Sequence, residues 1–273
     1  MAYAELQVTT NYSFLRGASH PEELFAQAAA YGIAALGVVD RGTVCGIVRA
    51  WEAAKTTEVR LVAGCRFDLR DGTALLAYPT DKPAWSRLCR LITLGKSRGD
   101  KNTCLLEWDD LAAGGDGLLY VLVPEQPDAR LAGQLDRLRA DAPGRAYLAG
   151  TIRRRPGDAA RLHRLAEMGG AARVPLIATG DVLFHHPGRR ILQDVVTCIR
   201  EGCTIDAAGF RRERHADRHL KPPEEMARRF ARHPDAIART GELVARCRFD
   251  LGQLRYQYPD EAEEPGLPAD LAH

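Results

Sequence analysis

Residues 4–19, AELQVTTNYSFLRGAS, set the reading of the rest of the chain. Residues 4–9 have the composition of a short buried strand, and the polar run 10–13 reads as a turn at its C-terminal end. In a β/α protein that end is where side chains converge on a ligand, so any chemistry should begin here. Downstream, Ser19 with Pro21, Glu22 and Glu23 starts a helix that runs to about Ala30. A second strand, residues 34–39, ends in Asp40. A helix over 44–54, a strand over 60–63, an extended piece at 67–69 and a strand over 74–78 come next. Residues 83–94 place Trp85, Leu88, Leu91 and Ile92 on one helical face.

The polar, basic stretch 95–103 reads as a mobile loop. Strands then follow at 118–123, 146–149 and 175–179, alternating with helices over 129–138 and 158–168, and a further helix covers 189–200. This is a βα repeat of about seven strands with right-handed crossovers expected. Periodicity alone does not separate a barrel from a doubly wound sheet. Past residue 205 the character changes: Lys221, Pro222, Pro223, Glu224 and Glu225 start a helix carrying Met226 and Phe230, and another from Pro234 turns Ile237, Leu243 and Val244 inward. The tail from residue 258 is acidic, rich in proline and aperiodic, and reads as a linker.

Composition narrows the function classes. A chain of 273 residues with 45% hydrophobic and 27% charged residues suits one large globular unit, and no apolar run approaches the roughly 18 residues of a membrane span. No signal peptide is seen after Met1, so a cytoplasmic location is expected and the seven cysteines are expected to be thiols. A net charge of +2 gives little drive toward nucleic acid. Two local basic clusters, Arg153 to Arg155 and Arg211 to Arg214, read as solvated surface or as phosphate-facing.

The opening residues resemble the first motif of the PHP (polymerase and histidinol phosphatase) domain, E-L-H-x-H-[ST]-x-[FY]-S. Here that frame holds Glu5, Leu6, Gln7, Val8, Thr9, Thr10, Asn11, Tyr12 and Ser13. The pieces SFLRGASHPEEL, ATGDVLFHHPGRR, LQDVVTCIREGCTIDAAG and HLKPPEEMA are similar to the error-prone branch of the bacterial C-family DNA polymerase alpha subunits, and the resemblance runs from about residue 3 to 259. It implies a distorted seven-stranded (βα)7 barrel, TIM-barrel-like, over residues 1–205. A helical extension over 206–257 would lead toward a polymerase palm, and 258–273 would be the linker.

The same resemblance locates a metal site whose ligands have been exchanged. Gln7 and Thr9 stand at the two histidine positions of the first strand and offer neutral oxygens, poor ligands for a transition metal. Arg16 replaces the aspartate that often closes the first motif. Asp40 survives, but Arg41 replaces the histidine after it, Arg66 replaces the glutamate after the third strand, and Asp181 survives with Leu183 in place of a histidine. Three arginines would each repel a divalent ion by about 4 kcal/mol at 4 Å and an effective dielectric near 20. No catalytic residue and no metal are therefore expected, and a structural network of Arg16, Asp40, Arg41, Arg66 and Asp181 is the substitute. His185, with His186, follows the last strand and could supply one stray ligand, though a surface role is simpler. His20 reads as a partner of Glu23.

Cys198, Cys203, His215 and His219 have nearly the spacing of a Cys2His2 zinc finger, but the first lies in the helix over 189–200 and no hairpin brackets the pair, so coincidence is preferred. A Walker A loop and a C-x-x-C pair are absent, as is a D-x-D pair for two magnesium ions. The resemblance implies a non-catalytic scaffold and docking domain without a cofactor. Magnesium, the polymerase site, primed DNA, a sliding clamp and mutagenesis accessory proteins would belong to the full-length damage-tolerance polymerase. The rivals are an active metal-dependent phosphoesterase or 3′–5′ proofreading exonuclease, and an independent nucleic-acid-binding module.

Overall fold

The computed structural model describes residues 3–100 and 103–255. Seven strands lie side by side in chain order: β1 (Ala4–Val8), β2 (Ala35–Arg41), β3 (Arg60–Asp68), β4 (Ala74–Pro79), β5 (Leu118–Val123), β6 (Ala146–Gly150) and β7 (Leu176–Ala178). A parallel bridge between Val8 and Val182 brings the far edge back to the first strand. Thr9 N–H donates to Val182 C=O at 2.9 Å and Val182 N–H to Gln7 C=O at 2.8 Å, so the sheet curls into a nearly closed barrel. A barrel rather than an open sheet is thus decided by two hydrogen bonds at the seam.

One strand departs from the expected repeat. β4 runs antiparallel to both β3 and β5, because residues 69–73 form a tight reversal rather than a helical crossover. Leu69 N–H donates to Thr73 C=O and Gly72 N–H to Leu69 C=O, both at 2.8 Å, with Gly72 at φ 84°, a conformation glycine adopts without a Cβ clash. The extended piece expected at 67–69 is the end of one long β3.

Alternation along the strands divides the apolar residues into two cores. Leu6, Val39, Val62, Leu76, Tyr78, Val121, Tyr147 and Ile177 point inward and fill the barrel. Tyr78 is fully buried and its hydroxyl donates to Leu6 C=O, which satisfies the one polar atom it carries inside. The outward residues of the same strands pack against the surrounding helices α1 (Pro21–Ala30), α2 (Ile47–Lys55), α3 (Lys82–Ser97), α4 (Trp108–Gly114), α5 (Ala129–Asp141) and α6 (Asp158–Ala172). α4 was not expected. Its seven residues carry no full period, and its place is fixed instead by Trp108 and Leu111, both buried, and by the Trp108 indole donating to Asp71 at 3.0 Å. The loop expected over 95–103 is helical through Ser97, and part of it lies outside the described residues.

After α7 (Arg190–Glu201), the chain crosses the barrel to α8 (Pro223–Arg229) and α9 (Pro234–Arg246). Met226, Phe230, Ile237 and Leu243 are buried as expected. Leu243 and Cys247 enter the interior core, so α9 stoppers the N-terminal end of the barrel. Ala4 N–H donates to the Thr240 hydroxyl at 3.2 Å, Arg239 to Leu176 C=O at 3.1 Å and Arg246 to the Tyr147 hydroxyl at 2.7 Å. The extension is part of the barrel's closure. The acidic tail from residue 258 lies outside the described residues. All seven cysteines are free, and no described helix is long and apolar enough to cross a membrane.

Candidate functional site

The C-terminal end of the barrel is where the sequence placed its candidate residues. Gln7 and Asp181 meet there, the amide donating to the carboxylate at 3.0 Å. Asp181 follows β7 in a left-handed conformation, φ 51°, which aspartate tolerates better than bulkier residues. Its carboxylate is 4% exposed and lies between two guanidiniums, Arg153 and Arg218, the latter at 2.7 Å. Arg218 also donates from Nε to the Asp181 carbonyl at 3.0 Å and to Glu213 at 3.1 Å. Burial and the charge of Arg218 pull the Arg153 guanidinium below its ordinary value, though it stays protonated in the physiological range.

Asp40 has a different surrounding. Val39 and Arg41 face into the barrel, and Asp40 between them faces out. Its two oxygens accept from Thr10 N–H at 2.9 Å, the Thr10 hydroxyl at 2.8 Å and the Ser13 hydroxyl at 2.6 Å. Burial raises its pKa, and the three donors hold the rise in check. Gly46, just before α2, is there because a Cβ would lie 2.8 Å from Asp40 Oδ2 and 3.0 Å from the Tyr12 ring.

The expected five-membered network is therefore corrected. Asp40 pairs with no arginine, since strand parity turns it away from Arg41. Arg41 and Arg66 share Asp68, at 2.5 and 2.9 Å. The arginines on Asp181 are Arg153 and Arg218, 28 and 37 residues from it in sequence. Arg153 lay in one of the two basic clusters read from the sequence; Arg218 carried no local signal. Arg16 joins no carboxylate among the described residues. Its carbonyl accepts from Gln193 of α7 at 2.8 Å, and its guanidinium is pulled down by burial and by nearby Arg200.

Thr9 and Leu183 line a small inner cavity of about 80 Å³ beneath the mouth. Leu183 packs on Ala18 and Phe184. His185 accepts or donates a hydrogen bond with the Ser19 hydroxyl at 2.8 Å and lies 4.0 Å from Glu23, away from Asp40 and Asp181. His20 and Glu23 meet through the backbone: Glu23 caps the His20 N–H at 2.9 Å in a capping box. Cys198 is in α7, as expected, and the His219 ring bonds to Ala216 C=O at 2.7 Å.

A buried carboxylate that the sequence reading passed over is Glu5. It accepts from the Tyr3 hydroxyl at 2.7 Å, from Gln7 N–H at 2.9 Å and from Gly180 N–H at 2.8 and 3.0 Å, stitching β1 to the segment after β7. Burial raises its pKa despite these donors. A glutamate in a strand of otherwise uncharged residues was the available signal.

A divalent metal does not fit this donor set. It needs several anionic or imidazole ligands converging within about 2.0–2.2 Å. Asp181 is spent on two arginines and an amide, Asp40 on three donors of its own loop, and Arg41 and Arg66 add positive charge at the same mouth. Among the described residues no three His, Cys, Asp or Glu side chains are grouped to hold an ion.

The PHP domain family matches residues 5–164. This chain belongs to the PHP domain family. It is 59% identical over 269 residues to error-prone DNA polymerase 2 of Agrobacterium fabrum, covering 98% of this chain and 25% of that protein. The error-prone DNA polymerase of Caulobacter vibrioides is 50% identical over 269 residues, with the same coverage. The PHP chain thus spans about a quarter of the length of these relatives. An amidohydrolase from Chromobacterium violaceum, solved with bound sulfate and no metal, has the same fold, with a TM-score of 0.54 at 14% identity over 67% of this chain and 88% of that one. A second solved barrel, from Bifidobacterium adolescentis, gives 0.52 at 15% identity over 66% of this chain and 87% of that one.

Proposed function

We propose that this PHP barrel is the N-terminal domain of an error-prone DNA polymerase that copies damaged templates, and that it is a metal-free scaffold rather than a hydrolase. The observation that carries the second half is the fate of Asp40 and Asp181: both surviving acids are saturated by partners inside the protein. Purification without chelator followed by elemental analysis tests it. Less than a tenth of an equivalent of zinc, iron or manganese, with no phosphate release and no 3′-end resection after manganese is added, is the expected result; two ions per chain or turnover would refute it.

The docking half of the reading is supported by α7, which is amphipathic the wrong way round. Gln193, Asp194, Thr197 and Cys198 are buried against the barrel, while Ile191 is 75% and Ile199 61% exposed. Phe14 and Phe210 are exposed as well. Apolar side chains displayed on a helix mark a surface meant to be covered. The relatives are about four times as long as this chain, so the rest of the polymerase polypeptide is the assigned occupant. Nucleotidyl transfer with magnesium, primed DNA, the sliding clamp and mutagenesis accessory proteins would be reached through that polypeptide. Ile191→Glu with Ile199→Glu is expected to leave the melting temperature of the 273-residue chain within about 2 °C and to lower that of the full-length polymerase. Equal behaviour in both proteins would remove α7 from the interface.

A further inference from the structure

Two of the seven cysteines meet at the C-terminal end of α7. Gly202 follows the helix at φ 62°, in the left-handed region, and two hydrogen bonds close the turn around it. Its N–H donates to Ile199 C=O at 3.3 Å, and Cys203 N–H donates to Cys198 C=O at 3.0 Å. In a helix ending of this kind the side chain just past the glycine folds back on the one five residues earlier, a contact frequently made by two apolar groups. Here both places hold cysteine. The two thiols lie within hydrogen-bonding reach of each other. The 3.0 Å bond between the two backbones also keeps their Cα atoms under the roughly 7 Å beyond which a disulfide cannot form.

The two sulfurs differ in access. Cys198 is 5% exposed and faces the barrel beside Asp194 and Thr197, whereas Cys203 is half-buried in a stretch whose neighbours on both sides are exposed. Burial and the nearby Cys203 push the Cys198 thiol up, which keeps it protonated and unreactive on its own. An oxidant arriving from solvent therefore meets Cys203 first. Neither thiol is committed to a metal: the His219 ring bonds to Ala216 C=O, and among the described residues no three His, Cys, Asp or Glu side chains are grouped to hold an ion.

We propose that Cys198 and Cys203 are an oxidation-sensitive pair that hydrogen peroxide closes into a disulfide. The Cys203 thiolate attacks one peroxide oxygen, the O–O bond breaks, and hydroxide leaves with the thiol's proton as water. The Cys198 thiolate then attacks the sulfenic sulfur; the S–S bond forms, the S–O bond breaks, and hydroxide leaves with the second proton as water. The two sulfurs lose two electrons and the peroxide gains them. The bridge ties the segment after α7, which carries the exposed Ile205, to the helix's last turn and its exposed Ile199. With one sulfur near the surface, a small thiol can reopen it.

The test uses the 273-residue chain carrying Cys45→Ser, which removes an exposed thiol. It is treated with hydrogen peroxide in chelator-containing buffer, its remaining thiols are blocked, and it is digested with trypsin. Cleavage after Arg200 places Cys198 and Cys203 on different peptides, 191–200 and 201–211, so only a bridge holds them together. The expected result is that the folded protein yields the joined peptides, that dithiothreitol frees them, and that the bridged form melts about 3 °C or more above the reduced one. In Cys198→Ser the sulfenic acid on Cys203 should persist and be trapped by dimedone; in Cys203→Ser, Cys198 should stay reduced. No joined peptides, joining only after unfolding in urea, or joining of either cysteine to a different one overturns the pair. Oxidation of Cys198 at the wild-type rate in Cys203→Ser overturns the order of attack, and an unchanged melting temperature in the bridged protein overturns the tie on α7.

Discussion

Asp40, at the end of β2, and Asp181, just after β7, flank β1 at one barrel mouth, and they are held in different ways. Asp181 is held by charge: two guanidiniums and an amide converge on a carboxylate that is almost fully buried. Asp40 is held by neutral donors of its own neighbourhood, one N–H and two hydroxyls, with α2 packed close over Gly46. The first arrangement joins elements far apart in sequence; the second is a local turn lock. The contrast teaches that a buried acid demands partners, of whatever kind the surroundings supply.

The largest effect expected from this contrast is that of Asp181→Ala. Removing the carboxylate leaves Arg153 without an acid and Arg218 with Glu213 alone, and should cost about 3–5 kcal/mol in urea unfolding. A loss below about 1 kcal/mol would mean that the two arginines find water or other acids, and the contrast with Asp40 would break. Asp40→Ala comes next, at about 2–3 kcal/mol, because three donors lose their acceptor but no charge is left behind. Pairing each variant with a salt titration sharpens the difference, since only the Asp181 loss should involve charge.

Asp68→Ala should matter least of the three acids. Asp68 is 39% exposed and its bonds to Arg41 and Arg66 lie at the rim, so a change under about 1 kcal/mol is expected. The smallest effect is a pH slope. The pKa of Asp40 is raised in the fold, so its protonated form is favoured there. Its contribution is then fully present below the unfolded carboxylate value near 3.9 and is lost as pH rises through the folded value. Wild type should therefore gain on Asp40→Asn as pH is lowered from 7 to 4. A gap that moves the other way would mean that the hydroxyl donors outweigh burial.

Much of the fold was legible because its signals are local. The opening strand, the apolar faces of α3 and α9, and the inward Leu243 follow from periodicity that any segment carries by itself. The reversal of β4 was not legible, since a hairpin through Gly72 and a short crossover leave similar apolar runs on either side. α4 was missed for the same kind of reason: seven residues are too few for a period to show. At the site, the side-chain types at Gln7, Thr9, Arg16, Arg41, Arg66 and Leu183 could be read position by position against the motifs the chain resembles. Which arginine meets which carboxylate could not.

What the sequence determined by itself is the alternation of strands and helices and the presence of amide, hydroxyl and guanidinium groups at Gln7, Thr9, Arg41 and Arg66, because both are properties of residue type and spacing. What only the tertiary structure decided is the pairing. The seam at Val8 and Val182 brings Gln7 beside Asp181, strand parity turns Asp40 away from Arg41, and the return of the chain over the mouth delivers Arg218. An ion pair reports distance in space, and a closed barrel makes that distance nearly independent of separation along the chain.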